Sequence, residues 1–97
     1  MLTLNQIKST VSKIGKKYGI KNAYLFGSYA KGKATENSDV DLIVDRGDVH
    51  TYKDYFHFYE DLKDALGTEV DITSEDGMYP EFFDIVKGDR ILLYGTQ

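Results

Sequence analysis

The sequence contains no cysteine, no tryptophan and only one proline in its 97 residues. Without cysteine there is neither a disulfide nor a thiolate metal site, so any bound metal must be held by oxygen or histidine ligands. No apolar run approaches the roughly 20 residues needed to span a membrane. The N-terminus also lacks the basic-then-apolar layout of a secretory signal, so a cytoplasmic protein is expected. Acidic side chains are missing from one stretch: residues 1–33 carry seven lysines and no carboxylate, whereas residues 34–97 carry 16 acids against five bases. The net charge of −4 argues against broad non-specific nucleic-acid binding. Lys8, Lys13, Lys16 and Lys17 then read as a solvated helix face.

With 41% hydrophobic and 29% charged residues, the composition is that of an ordinary folded chain. The length suits one small domain with one core and leaves no second domain to hold a large acceptor. Leu4, Ile7, Val11, Ile14 and Tyr18 recur at helical spacing, with Thr3 and Gln6 placed as a capping box and Gly19 as the stop. "AYLF" (Ala23 to Phe26) reads as a short strand ending at Gly27. Ser28 stands where the N-cap of a helix of little more than one turn is expected, closed by Gly32. "DVDLIV" is a second strand. Tyr52, Tyr55, Tyr59, Leu62 and Leu66 form a second helical stripe, read as core, between Thr51 as cap and Gly67 as stop. "TEVDIT" (Thr68 to Thr73) is a third strand and "SEDG" a loop. Pro80 opens a fourth helix through "EFFDIV" to Gly88, and "RILLY" is a last strand. The order α-β-α-β-α-β-α-β predicts one compact α/β or α+β domain.

Two acids inside an apolar strand need an explanation. Side chains alternate across a strand, so Asp39 and Asp41 share a face with Ile43 while Val40, Leu42 and Val44 share the other. Two like charges side by side repel, and burying them unpaired is costly; they face water or share a cation. Asp71 sits between Val70 and Ile72 in the same manner. If its strand pairs beside the first, three carboxylates converge, a donor set suited to the hard cation Mg²⁺. The Gly27-Ser28 turn offers close backbone approach and donors for phosphate, with Lys31 and Lys33 adding positive charge. Phosphate donors facing an acid cluster suit a nucleoside triphosphate bound as its Mg²⁺ complex. His50 and His57 show no metal-ligand spacing and read as structural or surface residues.

Gly27-Ser28, ten intervening residues and Asp39-Val40-Asp41 resemble the signature of the DNA polymerase β-like nucleotidyltransferases. "FGSYAKGKATENSDVDLIV" is similar to their smallest branch, the prokaryotic minimal nucleotidyltransferases. "ALGTEVDIT" is similar to that family's third-acid strand, and "FFDIVKGDRILLY" to its closing helix and strand. The resemblance implies a single domain over residues 1–97, with a mixed sheet, helices packed mainly on one face and the acids at the sheet's open edge. It further implies that Asp39 and Asp41 ligate two Mg²⁺ ions. Asp71 would ligate the catalytic one and help to activate the acceptor hydroxyl. Gly27 and Ser28 would hold the β and γ phosphates of ATP. Lys31 stands where arginine is common; it keeps the charge but lacks the bidentate fork. The implied activity is transfer of AMP to a hydroxyl on a partner macromolecule, which in the family's antitoxin members is a tyrosine of a HEPN-domain toxin. Two alternatives share the fold: a binding module that neutralises a toxin by occlusion with catalysis dispensable, and nucleotidyl transfer to RNA or to a small molecule.

Overall fold

The computed structural model describes residues 1–77, 81 and 88–95. The expected fourth helix, from Pro80 through "EFFDIV", lies outside the described residues. Helix α1 (Leu4–Tyr18) is followed by β1 (Asn22–Phe26), the short α2 (Gly27–Ala30), β2 (Val40–Asp45), α3 (Tyr52–Leu66) and β3 (Val70–Ser74). A 3₁₀ turn (Glu75–Gly77) occupies the expected "SEDG" loop, and β4 (Ile91–Tyr94) completes the sheet.

Both long helices begin and end where their side chains dictate. At α1 the Thr3 hydroxyl accepts from the Gln6 amide at 3.1 Å while the Gln6 side chain accepts from the Thr3 amide at 2.8 Å, so two otherwise orphaned donors are satisfied. Thr51 caps α3 by accepting from the Asp54 amide at 3.1 Å. Gly19 and Gly67, with φ of 77° and 69°, terminate the two helices in the left-handed conformation.

The strands form a mixed sheet in the order β3-β2-β1-β4. β1 is antiparallel to both β2 and β4, whereas β2 and β3 are parallel, joined by the α3 crossover. α1 and α3 lie together on one face. Ile7 and Val11 from α1 and Phe58, Leu62 and Leu66 from α3 pack on Leu25, Val40, Leu42, Val44, Val70 and Leu93. Burying each large apolar side chain contributes about 1.5–3 kcal/mol, enough to hold the helices to this face. The opposite face is a smaller apolar surface of Tyr24 and Ile43 flanked by Phe26 and Leu92. There the Arg90 guanidinium lies 4.1 Å from the centre of the Tyr24 ring.

The two helices are also tied at their outer surface. The Tyr18 hydroxyl donates to Asp61 at 2.5 Å, and Lys17 reaches the same carboxylate at 3.2 Å. The Tyr18 phenol is pushed up to about 12, first by its bond to the Asp61 carboxylate and then by burial and the Asp61 charge. The sign follows from the raised value: this bond stabilises the fold fully below pH 10, and its contribution is lost as pH rises through about 12. An absorbance titration of phenolate is expected to show Tyr18 ionising near 12, and near the ordinary value of 10 in Asp61→Ala.

Candidate active site

Asp41 is the second residue of β2, in register with Phe26 on β1 and with Asp71 on β3. Strand alternation turns it, with Ile43, away from the helices. Asp71 is exposed beside it, on the outermost described strand. The acids thus occupy the open face of the sheet, across an inner strand and its neighbour; only Asp71 is on an edge strand, which sharpens the open-edge expectation.

Asp39 lies one residue before β2, outside the strand in which it was expected. The ladder begins at Val40, whose amide donates to the Glu69 carbonyl at 3.0 Å, and β3 offers Asp39 no partner. A tight turn delivers it instead. The Ser38 amide donates to the Thr35 carbonyl at 3.0 Å and the Thr35 amide to the Ser38 hydroxyl at 2.8 Å. Crowding is felt most at Asp41, whose carboxyl is raised above its ordinary range by burial first, then by Asp71 and then by Asp39.

Gly27 follows β1 directly and has φ of 74°. A Cβ at this position would run into the Asp41 carboxylate, so glycine alone lets the backbone turn against the acid. Because the chain already turns at Gly27, α2 starts there and Phe26, with no side-chain hydrogen bond, is its N-cap. Ser28 is therefore the second residue of α2 rather than its cap. Tyr29 packs partly buried against the core. The Lys31 ammonium is 4.0 Å from the Asp89 carboxylate, with both side chains about half exposed.

The donor chemistry suits a hard divalent cation: three carboxylates, two of them in register and one whose ionisation is made harder by its neighbours, with no buried charge among the described residues. Among the described residues no group of three acid or histidine side chains is already close enough to chelate one ion. His50 and His57 are both exposed, in keeping with their reading as surface residues.

The family model for polymerase beta nucleotidyltransferases matches residues 5–97. The chain belongs to this family. It is 32% identical over 82 residues to the protein adenylyltransferase MntA of Thermococcus cleftensis, covering 80% of this chain and 83% of that protein. A solved structure provisionally described as a minimal nucleotidyltransferase is 33% identical, with a TM-score of 0.79 over 91% of this chain and 90% of that one. A toxin-antitoxin crystal structure with AMP-PNP is 28% identical, with a TM-score of 0.77 over 97% of this chain and 76% of the other.

One part of this nucleotidyltransferase was misjudged from sequence. The α3 stripe read as core is only partly so: Leu62 and Leu66 are buried and Tyr55 and Tyr59 partly buried, but Tyr52 is 86% exposed; off the stripe, Phe58 is buried and Phe56 is 52% exposed. Tyr55 is half-buried, and its hydroxyl donates to the Ile72 carbonyl at 3.3 Å. Burial, and then the charge of Asp71, raise its phenol above the ordinary range, while Arg46 opposes them. Tyr52, Tyr55, Phe56 and Tyr59 line, with Val70, Asp71 and Ile72 of β3, a groove of about 370 Å³. The sequence signal was available in Phe56, an aromatic that falls off the buried stripe and so has no core to fill.

Proposed function

We propose that this nucleotidyltransferase moves AMP from ATP, with the help of divalent metal, onto a hydroxyl of a partner protein, a tyrosine of a HEPN-domain toxin that is thereby silenced. The observation that carries this reading is a juxtaposition: Asp41 and Asp71 in register on parallel strands, with the Gly27 turn seated directly against Asp41. In this reading Asp39 and Asp41 would hold two Mg²⁺ ions and Asp71 one of them, which would supply positive charge to offset that of the triphosphate and the leaving pyrophosphate. The Gly27 and Ser28 amides and the Ser28 hydroxyl hold the β and γ phosphates. Asp71 orients the acceptor hydroxyl and takes its proton as the oxygen bonds to the α-phosphorus. The bond from that phosphorus to the β-phosphate oxygen breaks, and pyrophosphate departs.

The relatives support the finer points. A protein adenylyltransferase at 32% identity favours AMP and a protein acceptor, and the toxin-antitoxin structure with AMP-PNP favours an adenine nucleotide and an antitoxin role. The HEPN partner rests on the resemblance of the stretch around Gly27 and Asp41 to the antitoxin members of the family. The test is incubation with α-labelled ATP, Mg²⁺ and a HEPN-domain protein. Label on that protein is expected; label on RNA or a small molecule instead, or none, overturns the reading.

Lys31 offers a graded check. Its pair with Asp89 is long and exposed, and such pairs contribute about 0–1 kcal/mol, so phosphate competes with Asp89 easily. Lys31→Ala is expected to leave the thermal midpoint nearly unchanged while raising the KM for ATP by roughly 3- to 10-fold, measured by pyrophosphate release.

A further inference from the structure

The aromatic groove beside Asp71 shares only that acid with the proposed phosphate- and metal-binding residues. It lies between the first turns of α3 and the outer edge of β3, which has no strand beyond it among the described residues. In a parallel ladder alternate residues direct their amide groups to the partner strand. Glu69 bonds to Val40 on β2, so Val70 and Ile72 direct theirs outward, and the Ile72 carbonyl is met there by the Tyr55 hydroxyl. Tyr55 thus forms the back wall. Tyr52 and Phe56, one helical turn apart and both exposed, form the rim. Asp71 belongs to both the groove and the acid cluster, so the two are continuous.

Charge decides what fits. Among the described residues no lysine or arginine lines the groove, so a triphosphate finds little counter-charge there. Aromatic walls suit a flat ring, and a carboxylate at one end accepts a hydrogen bond from a hydroxyl. About 370 Å³ is at the small end of ligand clefts and has room for an aromatic side chain. We infer that this groove is the acceptor subsite: a tyrosine side chain of the partner protein enters from the α3 side, its ring against Tyr52 and Phe56 and its hydroxyl toward Asp71. The inference rests on the proposed protein acceptor and adds where that acceptor is read. Tyr52 and Phe56 become specificity residues that never touch ATP. Their exposure also means that truncating them leaves the core intact.

Two measurements separate this subsite from the proposed reaction. In a two-dimensional NMR titration of the full chain, N-acetyl-tyrosinamide is expected to shift resonances of Tyr52, Tyr55, Phe56 and Ile72, and N-acetyl-phenylalaninamide to shift them less because it has no hydroxyl for Asp71. The shifts should vanish in Phe56→Ala. Absence of these shifts, their persistence in Phe56→Ala, or the same shifts on adding ATP with Mg²⁺ would each overturn the subsite. In the label-transfer assay Tyr52→Ala and Phe56→Ala are expected to raise the KM for the acceptor protein about tenfold, a hot-spot-sized effect, with the KM for ATP within about twofold of wild type. Wild-type transfer with unaltered acceptor KM in both variants sinks the subsite and leaves the proposed function standing. N-acetyl-tyrosinamide binding in the groove without any label transfer does the reverse.

Discussion

Asp41→Asn is expected to lower nucleotidyl transfer by roughly a thousandfold or more, and to make the free protein more stable. The first effect follows from position. Asp41 touches everything the proposed chemistry needs: Asp71 by register, Asp39 two residues before it, and the Gly27 turn against its carboxylate. An amide removes one negative ligand where charge must be concentrated, and several kcal/mol of transition-state stabilisation go with it. The second effect follows from the raised carboxyl. A carboxylate whose ionisation is made harder by burial and by two neighbouring acids destabilises the fold wherever it is ionised. That penalty is absent at acid pH, below the unfolded value of 3.8, and grows as pH rises through the folded value. Asn has no charge to crowd, so at neutral pH the thermal midpoint should rise by roughly 2–4 °C, a modest gain because Asp41 is partly open to water. Calorimetry with and without Mg²⁺ distinguishes the causes: Mg²⁺ should raise the midpoint of wild type and barely move Asp41→Asn. A variant that loses both activity and stability would point to a structural role for this acid.

Gly27→Val should damage both stability and activity. Two independent costs meet at this residue. Its φ of 74° is a conformation that a β-branched residue adopts only under strain, and the new Cβ collides with the Asp41 carboxylate. Gly32 separates the two costs, because it also has positive φ, 70°, yet a Cβ there meets nothing within 4 Å. Gly32→Ala is expected to cost roughly 1 kcal/mol from backbone strain alone. Gly27→Val is expected to cost about 2–4 kcal/mol, a fall of some 10–25 °C in the midpoint measured by circular dichroism. The collision also moves the acid or the turn, so transfer by the folded fraction should drop at least a hundredfold, since displacements of about 1 Å have that effect. Equal losses at the two glycines would mean that the approach to Asp41 is unimportant.

The local instructions were readable because their causes are local. Thr3 with Gln6, Thr51, Gly19 and Gly67 act on amides and carbonyls within four residues, and each stands at the helix end where it was expected. The alternation of Val40, Leu42 and Val44 with Asp41 and Ile43 likewise assigned one face to the core before any neighbour was known. The reading of Ser28 failed for a reason that is also local but depends on a contact from elsewhere: Gly27, pressed against Asp41, takes the turn and starts the helix two residues earlier. The α3 stripe failed differently. Periodicity identifies a helical face but not where the sheet beneath it stops, so Tyr52 was grouped with Leu62 and Leu66 although it is exposed.

By itself, then, the sequence determined the two long helices and their ends, the apolar face of β2 and the presence of two acids and a Gly-Ser turn close together in the chain. These follow from backbone geometry, capping and side-chain alternation, all of which act over a few residues. Only the tertiary structure decided that Asp71 joins them. Thirty residues and a helix separate it from Asp41, and the parallel register of β2 and β3 brings the two side by side. A slip of one residue would set Val70 or Ile72 opposite Asp41 and turn the Asp71 carboxylate toward the helices, where an unpaired charge is costly. The register is held by Val70 packing in the core, a contact that exists only once α3 has folded back over the sheet.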